Sequence, residues 1–440
     1  MNSIRNQIRK GLIVLPALLL VAACTSKSDS QPEMAKEPTF DPSASAELVF
    51  QGLAGDTEQA FNDLYGNAIR SKFPQYTIKF IQSKEGTTLP DLVAQNKPID
   101  IVYNTVEYMY EPLTTHNLLL DMSSLAASHQ LNLSQFEPTL IDGIKNIADG
   151  KLFGIPITNM NQVLFYNKGI FDKFGVPYPK DGMTWDEALD LSKRVTRKDG
   201  DKQYLGLAAS AMHILRMNQY SQPYLDPATN KPTFDQSIWN KLLQTYFADF
   251  AADQGYKDRS AELKRIPYRL ELTRSQELAM FVFNSQFPFV VPDDMKSIQW
   301  DLVALPTFKD KKGIGSQASP FVMSVTSTSK AKDVAMEVIK YLTSMEMQTD
   351  YSKKGIMSVL KDDSLKKVYG SDSIFKEQHW SSVFYNQFAP LSKKSKYDFE
   401  IEKILAPAVL DVVLGKTDMN TMLRTVNEQT AKKIAELNSR

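Results

Sequence analysis

The spacing of apolar side chains after residue 46 predicts alternating strands and helices. Residues 47–51 (ELVFQ) form a short apolar run, and residues 57–73 carry apolar side chains at helical intervals. Residues 76–81 alternate as a strand. After a further short helix, residues 99–103 (IDIVY) form a continuous apolar strand of the kind buried on both faces of a sheet. This β-α-β-α-β order predicts an open α/β sheet with right-handed crossovers.

The size of the chain predicts two folded lobes, because 440 residues exceed what one hydrophobic core usually serves. A hydrophobic content of 42% is typical of a globular protein. The 51 basic and 51 acidic residues balance, so no general positive field attracts nucleic acid. The single cysteine excludes an internal disulfide, and four histidines leave little material for a zinc site.

The first 23 residues have the pattern of an export signal. Arg5, Arg9 and Lys10 precede an uncharged, mostly apolar run over residues 12–23. At about 1.5 Å per residue, this run is too short to span the roughly 30 Å hydrocarbon core of a bilayer as a stable helix. A basic front followed by a short apolar run is typical of a secretory signal peptide, and the alternative is a buried N-terminal helix.

The end of the apolar run, Val-Ala-Ala-Cys at residues 21–24, resembles the lipobox of bacterial lipoproteins. The resemblance implies that a signal peptide over residues 1–23 is removed and that Cys24 is lipidated, with a palmitate-type acyl group among its chains. Two acyl chains suffice for stable anchoring to the outer face of the cell membrane. Residues 25–46 are rich in Ser, Pro, Lys and acidic groups, which predicts a flexible tether.

Four further blocks carry a resemblance that runs from about residue 47 to residue 440. They are PIDIV at 98–102, the stretch 149–196 with DGKLFGIP, YNKGIF and TWDE, the stretch 303–360 with VALPTF, and GKT at 415–417 before a predicted helix. In this order they resemble the extracellular solute-binding proteins of ABC importers, family 1, the carbohydrate-type group that includes maltose-binding protein. Such a protein captures an extracellular oligosaccharide or related polar solute by hinge closure and delivers it to a membrane permease.

The resemblance implies a type II periplasmic-binding-protein-like fold of two α/β lobes. Each lobe would be an open, mostly parallel sheet flanked by helices. Lobe 1 would comprise residues 47–156 and 308–355, and lobe 2 residues 157–307 and 356–440 with the C-terminal helices. Crossing segments would form the hinge, with the ligand between the lobes. A monomer without cofactor or metal is expected, with a small-molecule solute and the permease as partners.

A neutral sugar is bound by amides, carboxylates and aromatic rings in a partly dry cleft. The candidate residues are those that the resemblance places at cleft-facing positions or in loops near them: Gln51, Asp56, Asn104, Glu107, Asn159, Asn161, Tyr220, Tyr224, Asn284, Gln286, Phe287, Gln317, Ser319 and Trp380.

Two departures from the family pattern affect the aromatic groups. Glu107 matches a sugar-bonding carboxylate of maltose-binding protein, but Asn104 stands where that protein has tryptophan. The helix that carries a stacking aromatic ring in the relative reads FEIE here, at residues 399–402. The sequence therefore favours tyrosine and phenylalanine as stacking rings, or a ligand that is not a typical glucan.

Two alternatives stay open. The same fold could bind a peptide, a lipid precursor or an anionic solute, and a cleft rich in arginine, with Arg216 and Arg274 as contributors, would favour this alternative. A secreted glycoside hydrolase would need two carboxylates about 5–10 Å apart, for which Asp56 and Glu107 are the candidates. No nucleophile elbow, phosphate loop or HExxH motif occurs, and we therefore expect a binding protein and not an enzyme.

Overall fold

The computed structural model describes residues 40–439. The predicted signal peptide, the lipidation site Cys24 and most of the predicted tether lie outside the described residues. The last seven tether positions are described, and there the structure differs from the expectation. Ala46 already belongs to the first strand, and the Pro42 carbonyl accepts hydrogen bonds from the Gln75 side chain and the Tyr76 hydroxyl. Residues 42–46 therefore contribute to the first lobe.

Strands and helices alternate as the apolar spacing predicts. The strands are β1 Ala46–Gly52, β2 Tyr76–Gln82, β3 Ile101–Thr105, β4 Ile155–Thr158, β5 Gln162–Asn167, β6 Arg197–Asp199, β7 Lys202–Ala209, β8 Leu278–Asn284, β9 Trp300–Ala304, β10 Ile314–Gln317, β11 Phe321–Val325 and β12 Gln387–Ala389. The helices are α1 Glu58–Phe61, α2 Asn67–Lys72, α3 Leu89–Ala94, α4 Tyr110–Thr115, α5 Ser123–Ser128, α6 Pro138–Ile147, α7 Lys168–Phe174, α8 Trp185–Val195, α9 Ala211–Arg216, α10 Ser237–Leu243, α11 Gln254–Leu263, α12 Arg269–Thr273, α13 Phe287–Val290, α14 Pro292–Lys296, α15 Lys332–Leu342, α16 Met345–Lys353, α17 Asp363–Lys367, α18 Asp398–Val413 and α19 Met419–Asn438.

Two five-stranded sheets define two lobes. The first lobe has the strand order β2-β1-β3-β11-β4, and the second has β6-β7-β8-β5-β9. A separate pair, β10 and β12, runs parallel. This is the two-lobed α/β fold that the sequence predicts.

Both sheets are mixed, whereas mostly parallel sheets were expected. In the first sheet β1 pairs with β2 and β3 in parallel, but β11 pairs with β3 and β4 antiparallel. In the second sheet only β7 and β8 are parallel. The physical reason is that β11 and β5 follow the segments by which the chain crosses between lobes, so each enters its sheet in the opposite direction.

Each lobe has its own hydrophobic core, and the chain returns to the first core later than expected. Val359, Leu360 and Leu391 are buried in the first core, beyond the expected boundary at residue 355. Leu391 packs so closely on Gly143 that a Cβ there would lie 2.6 Å from the leucine Cβ. Helix α18 packs its apolar face into the second core.

The connections between the lobes form the hinge. The first crossing joins β4 to β5, the second joins β9 to β11 and contains β10, and the third runs through β12 into α18. Within residues 40–439, no helix is long and apolar enough to cross a membrane.

Candidate functional site

A cavity of about 720 Å³ lies between the lobes. Its lining includes residues that follow β3 of the first lobe, residues of α9 and the end of β8 of the second lobe, and residues near the hinge. Those used below are Asn104, Glu107, Tyr108, His213, Arg216, Asn284, Gln286, Ser319, Lys396 and Phe399. Its position beyond the end of β3 agrees with the rule for ligand sites on α/β sheets. A cavity of this size is within the range of small-molecule sites.

Five of the sequence candidates line this cavity: Asn104, Glu107, Asn284, Gln286 and Ser319. Glu107 lies in the single turn Val106–Tyr108 that follows β3, and only 7% of its surface is exposed. Its Oε2 atom accepts a hydrogen bond of 3.1 Å from the Ser319 hydroxyl, which fixes the carboxylate beside the hinge. The Asn284 Oδ1 atom is buried at the end of β8 without a hydrogen-bond partner in the described part of the protein. These groups present hydrogen-bonding atoms from both lobes to one space.

Five other candidates serve the hinge or the first lobe and do not line the cavity. The Gln51 amide donates to the Thr87 carbonyl, and the Asp56 carboxylate accepts from Tyr103. Asn159 and Asn161 bind hinge groups through their amides, to the Met357 sulfur and the Val383 carbonyl. The Gln317 amide nitrogen donates to the Asn218 carbonyl, and its oxygen accepts from Ser392.

The remaining four candidates are aromatic, and none of them lines the cavity. Tyr224, Phe287 and Trp380 are buried in the second core, where the Trp380 indole donates to the Phe375 carbonyl. Tyr220 is half-buried against Phe308, and its hydroxyl donates to Asp310. Aromatic residues are frequent in the core of this lobe, which is why the sequence did not distinguish rings that pack from rings that bind.

Three aromatic residues that were not candidates line the cavity, namely Tyr108, Phe321 and Phe399, and two of these rings pack against each other. Phe399, on α18, has 48% of its surface exposed. Its ring centroid lies 6.0 Å from that of Tyr108, with the rings nearly perpendicular. The sequence carried a signal for both: Phe399 opens the FEIE segment, and Tyr108 directly follows Glu107. The exposed Phe399 ring therefore lies next to the buried polar groups of the cavity.

A buried ion pair lies on the second-lobe side of the cavity. The Arg216 guanidinium donates from Nε to Glu402 Oε1 at 2.7 Å and from Nη2 to Glu402 Oε2. Burial alone would lower the pKa of Arg216, but the hydrogen bonds to Glu402 outweigh it, so the net pKa is raised. The Tyr108 ring of the first lobe lies 4.6 Å from the guanidinium carbon, and its hydroxyl donates to Glu402 at 3.3 Å. The pair therefore joins the lobes through Tyr108.

The third crossing adds a second buried polar group. The Lys394 ammonium donates to the Arg216 carbonyl and to the Ser392 hydroxyl, both at 2.9 Å. Burial lowers the pKa of Lys394, and burial raises the pKa of the nearby Asp398 to about 6. Burial, followed by the charge of Arg216, lowers the pKa of His213 to about 4, so this cavity-lining imidazole is neutral at pH 7.

The charges around the cavity nearly cancel. Arg216 is neutralised by Glu402, and the lining also contains Lys396, Glu107 and Glu111. Among residues 40–439, no group of three or more His, Cys, Asp and Glu side chains is placed to hold a metal ion. The arrangement suits an uncharged polar molecule with hydroxyl groups and apolar faces.

The two α/β lobes and the cavity between them define a solute-binding protein. The sequence profile of the bacterial extracellular solute-binding proteins matches residues 54–349, and the chain belongs to this family. The family consists of extracellular binding proteins, so the chain belongs to an extracytoplasmic class.

Solved structures share the fold at low sequence identity. An ABC substrate-binding protein from Listeria monocytogenes, in complex with cycloalternan, is 15% identical with a TM-score of 0.70, over 89% of this chain and 99% of that one. A sugar transporter from Rhizobium etli in an open conformation is 20% identical with a TM-score of 0.69, over 88% and 99%. A cyclic alpha-maltosyl-1,6-maltose binding protein from Arthrobacter globiformis is 14% identical with a TM-score of 0.67, over 88% and 98%.

Proposed function

We propose that the protein is the substrate-binding component of an ABC import system and captures a neutral oligosaccharide or related polyol between its lobes. The observation that carries the proposal is the cavity itself, in which Glu107, Asn104 and Asn284 lie beside the exposed Phe399 ring. Carboxylate and amide groups bind sugar hydroxyls, and aromatic rings pack on the apolar faces of sugar rings. Structural relatives that are described with bound oligosaccharides support the same class of ligand.

The cavity favours a neutral ligand over an anionic one. A cleft rich in unpaired arginine would favour an anionic ligand, but both candidate arginines have carboxylate partners. Arg216 is paired with Glu402, and Arg274 is paired with Asp294 and does not line the cavity. Introducing a further negative charge beside Glu107 would cost repulsion in a partly buried site.

The proposed protein binds its sugar ligand and does not hydrolyse it. Of the two carboxylates considered for a glycoside hydrolase, only Glu107 lines the cavity, since Asp56 accepts from Tyr103 elsewhere in the first lobe. Lipidation of Cys24 would hold the protein at the extracellular face of the membrane, where a permease receives the ligand after hinge closure. This anchoring rests on the lipobox resemblance alone.

Native mass spectrometry of residues 25–440 with a pool of neutral oligosaccharides and short peptides tests the proposal. We expect an intact sugar mass retained by the wild-type protein and weakened retention in Glu107→Gln. Asp142→Asn, which removes an exposed carboxylate on α6 of the first lobe, is the matched control and should retain the sugar normally. A retained peptide, or shortened sugars without a retained adduct, would contradict the proposal.

A further inference from the structure

A second, much smaller cavity lies in the hinge. Its lining comes from all three crossings: Asn161 and Gln162 from the first, Ser316 from the second, and Val383 and Asn386 from the third. It leaves about 10 Å³ of room, which is at the lower limit of about 10–15 Å³ that one water molecule requires. None of the described residues that line it is charged.

Four polar side-chain atoms at this cavity have no hydrogen-bond partner in the described part of the protein. They are Asn161 Oδ1, Asn386 Oδ1, and both Oε1 and Nε2 of Gln162. Gln162 is 2% exposed, so bulk water does not reach its amide. Folded proteins pair nearly all of their buried polar atoms. Four unpartnered atoms around one cavity therefore point to an occupant of that cavity.

The orientation of two of the amides is fixed by their other hydrogen bonds. Asn161 Nδ2 donates to the Val383 carbonyl, and Asn386 Nδ2 donates to the Leu305 carbonyl, both at 2.8 Å. A main-chain carbonyl can only accept, so turning either amide over would place two oxygens against each other. Both side-chain oxygens must therefore receive hydrogen bonds from the occupant, which has to be a donor of at least two.

We propose that this cavity binds one water molecule, which joins the first and third crossings of the hinge. Water donates two hydrogen bonds, to Asn161 Oδ1 and Asn386 Oδ1, and can accept one from Gln162 Nε2, so it supplies partners for three of the four atoms. A metal cation is excluded by the uncharged lining, because a buried cation without an anionic partner is strongly unfavourable. The water is then the shared partner of segments that carry both lobes, so it fixes their spacing at the point about which the lobes move.

The first test is a high-resolution crystal structure of residues 25–440. We expect one density peak at hydrogen-bond distance, about 2.7–3.0 Å, from both asparagine oxygens. An empty cavity, a cavity closed by direct contacts among the three amides, or a peak at the shorter distances of about 2.3–2.6 Å that mark a calcium ion, would each overturn the proposal.

The second test is the thermal unfolding of Gln162→Met. The sign of the change in Tm distinguishes a cavity that holds water from a dry cavity. If water is bound, the substitution removes one of its partners, and the Tm should fall by about 2 °C or more. If the cavity is dry, the substitution removes an unpaired buried amide, and the Tm should rise or stay unchanged, which would refute the proposal. Gln51→Met calibrates the measurement, because Gln51 is a buried amide of the first lobe with one main-chain partner.

Discussion

The buried pair of Arg216 and Glu402 gives the sharpest prediction about stability. Both residues are more than nine-tenths buried, and the pair is held by two charge-assisted hydrogen bonds. Glu402→Leu would leave the guanidinium buried without an anion, and arginine cannot lose its proton at ordinary pH. Removing one partner of such a pair costs about 3–5 kcal/mol of unfolding free energy. For a lobe of this size each kcal/mol corresponds to about 2–4 °C in Tm.

The reciprocal variant should behave differently. Arg216→Met leaves Glu402 buried, but a carboxyl group can take up a proton, so the loss of stability should shrink as the pH is lowered. Arg216→Met combined with Glu402→Leu removes both charges and should recover most of the loss, since replacing a whole buried pair by apolar groups is often close to neutral. The two single losses should therefore not add in the double variant.

Urea unfolding of the wild type, the two single variants and the double variant, each at two pH values, measures these changes in unfolding free energy. Asp310→Asn is the control, because the Lys241–Asp310 pair is about half exposed and should contribute less than about 1 kcal/mol. A loss below about 1 kcal/mol for Glu402→Leu, together with additive single losses, would refute the reasoning. It would mean that solvent in the adjacent cavity stabilises the guanidinium as well as Glu402 does.

Three further predictions follow from contacts near the cavity. Phe399→Ala should weaken sugar binding by about tenfold in calorimetric titration, because it removes the exposed aromatic ring of the cavity. The control is Tyr385→Ala, which removes an exposed ring outside the cavity and should leave the affinity unchanged. Burial raises the pKa of Asp398 from 3.8 to about 6, so its contribution to stability is present below pH 4 and is lost as the pH rises through 6. The Tm of the wild type relative to that of Asp398→Asn should therefore fall over that pH range. A constant difference in Tm would contradict this prediction. Gly143→Ala should lower the Tm, because the added Cβ would lie 2.6 Å from Leu391. Gly143→Ala combined with Leu391→Ala should recover part of that loss. If Gly143→Ala were as stable as the wild type, the prediction would be wrong, and the third crossing would be able to move away from α6 at little cost.

The fold could be predicted well because its signals are local. Strand β3 was visible as IDIVY. The TWDE segment of the family resemblance begins helix α8, where Thr184 and Glu187 form both reciprocal hydrogen bonds of a capping box. The direction of β11 and β5 was not visible, because antiparallel pairing there depends on how the chain crosses between lobes. The late return of Leu391 to the first core was also missed, since its partner Gly143 is distant in sequence.

The candidate site was predicted less completely, for a physical reason. Positions that follow strands at the cavity edge, such as Asn104, Glu107 and Asn284, were found because sheet topology places them there. Asn159, Asn161 and Gln317 also carry side-chain amides near the crossings. These amides bind groups of the hinge, namely the Met357 sulfur and the carbonyls of Val383 and Asn218. A polar side chain near a crossing can serve either a ligand or the backbone, and only the three-dimensional register of the crossings decides between them.

The division of polar groups between the lobes explains how binding could drive closure in the proposed mechanism. A ligand shifts an equilibrium only through a difference in its affinity for the two forms. Glu107 and Asn104 belong to the first lobe, and Asn284 and Phe399 to the second, so a ligand engages both sets only when the lobes are together. Tyr108 of the first lobe also contacts Arg216 and Glu402 of the second lobe. In this arrangement of the lobes, the Tyr108 contacts add to those that a ligand would make with both lobes.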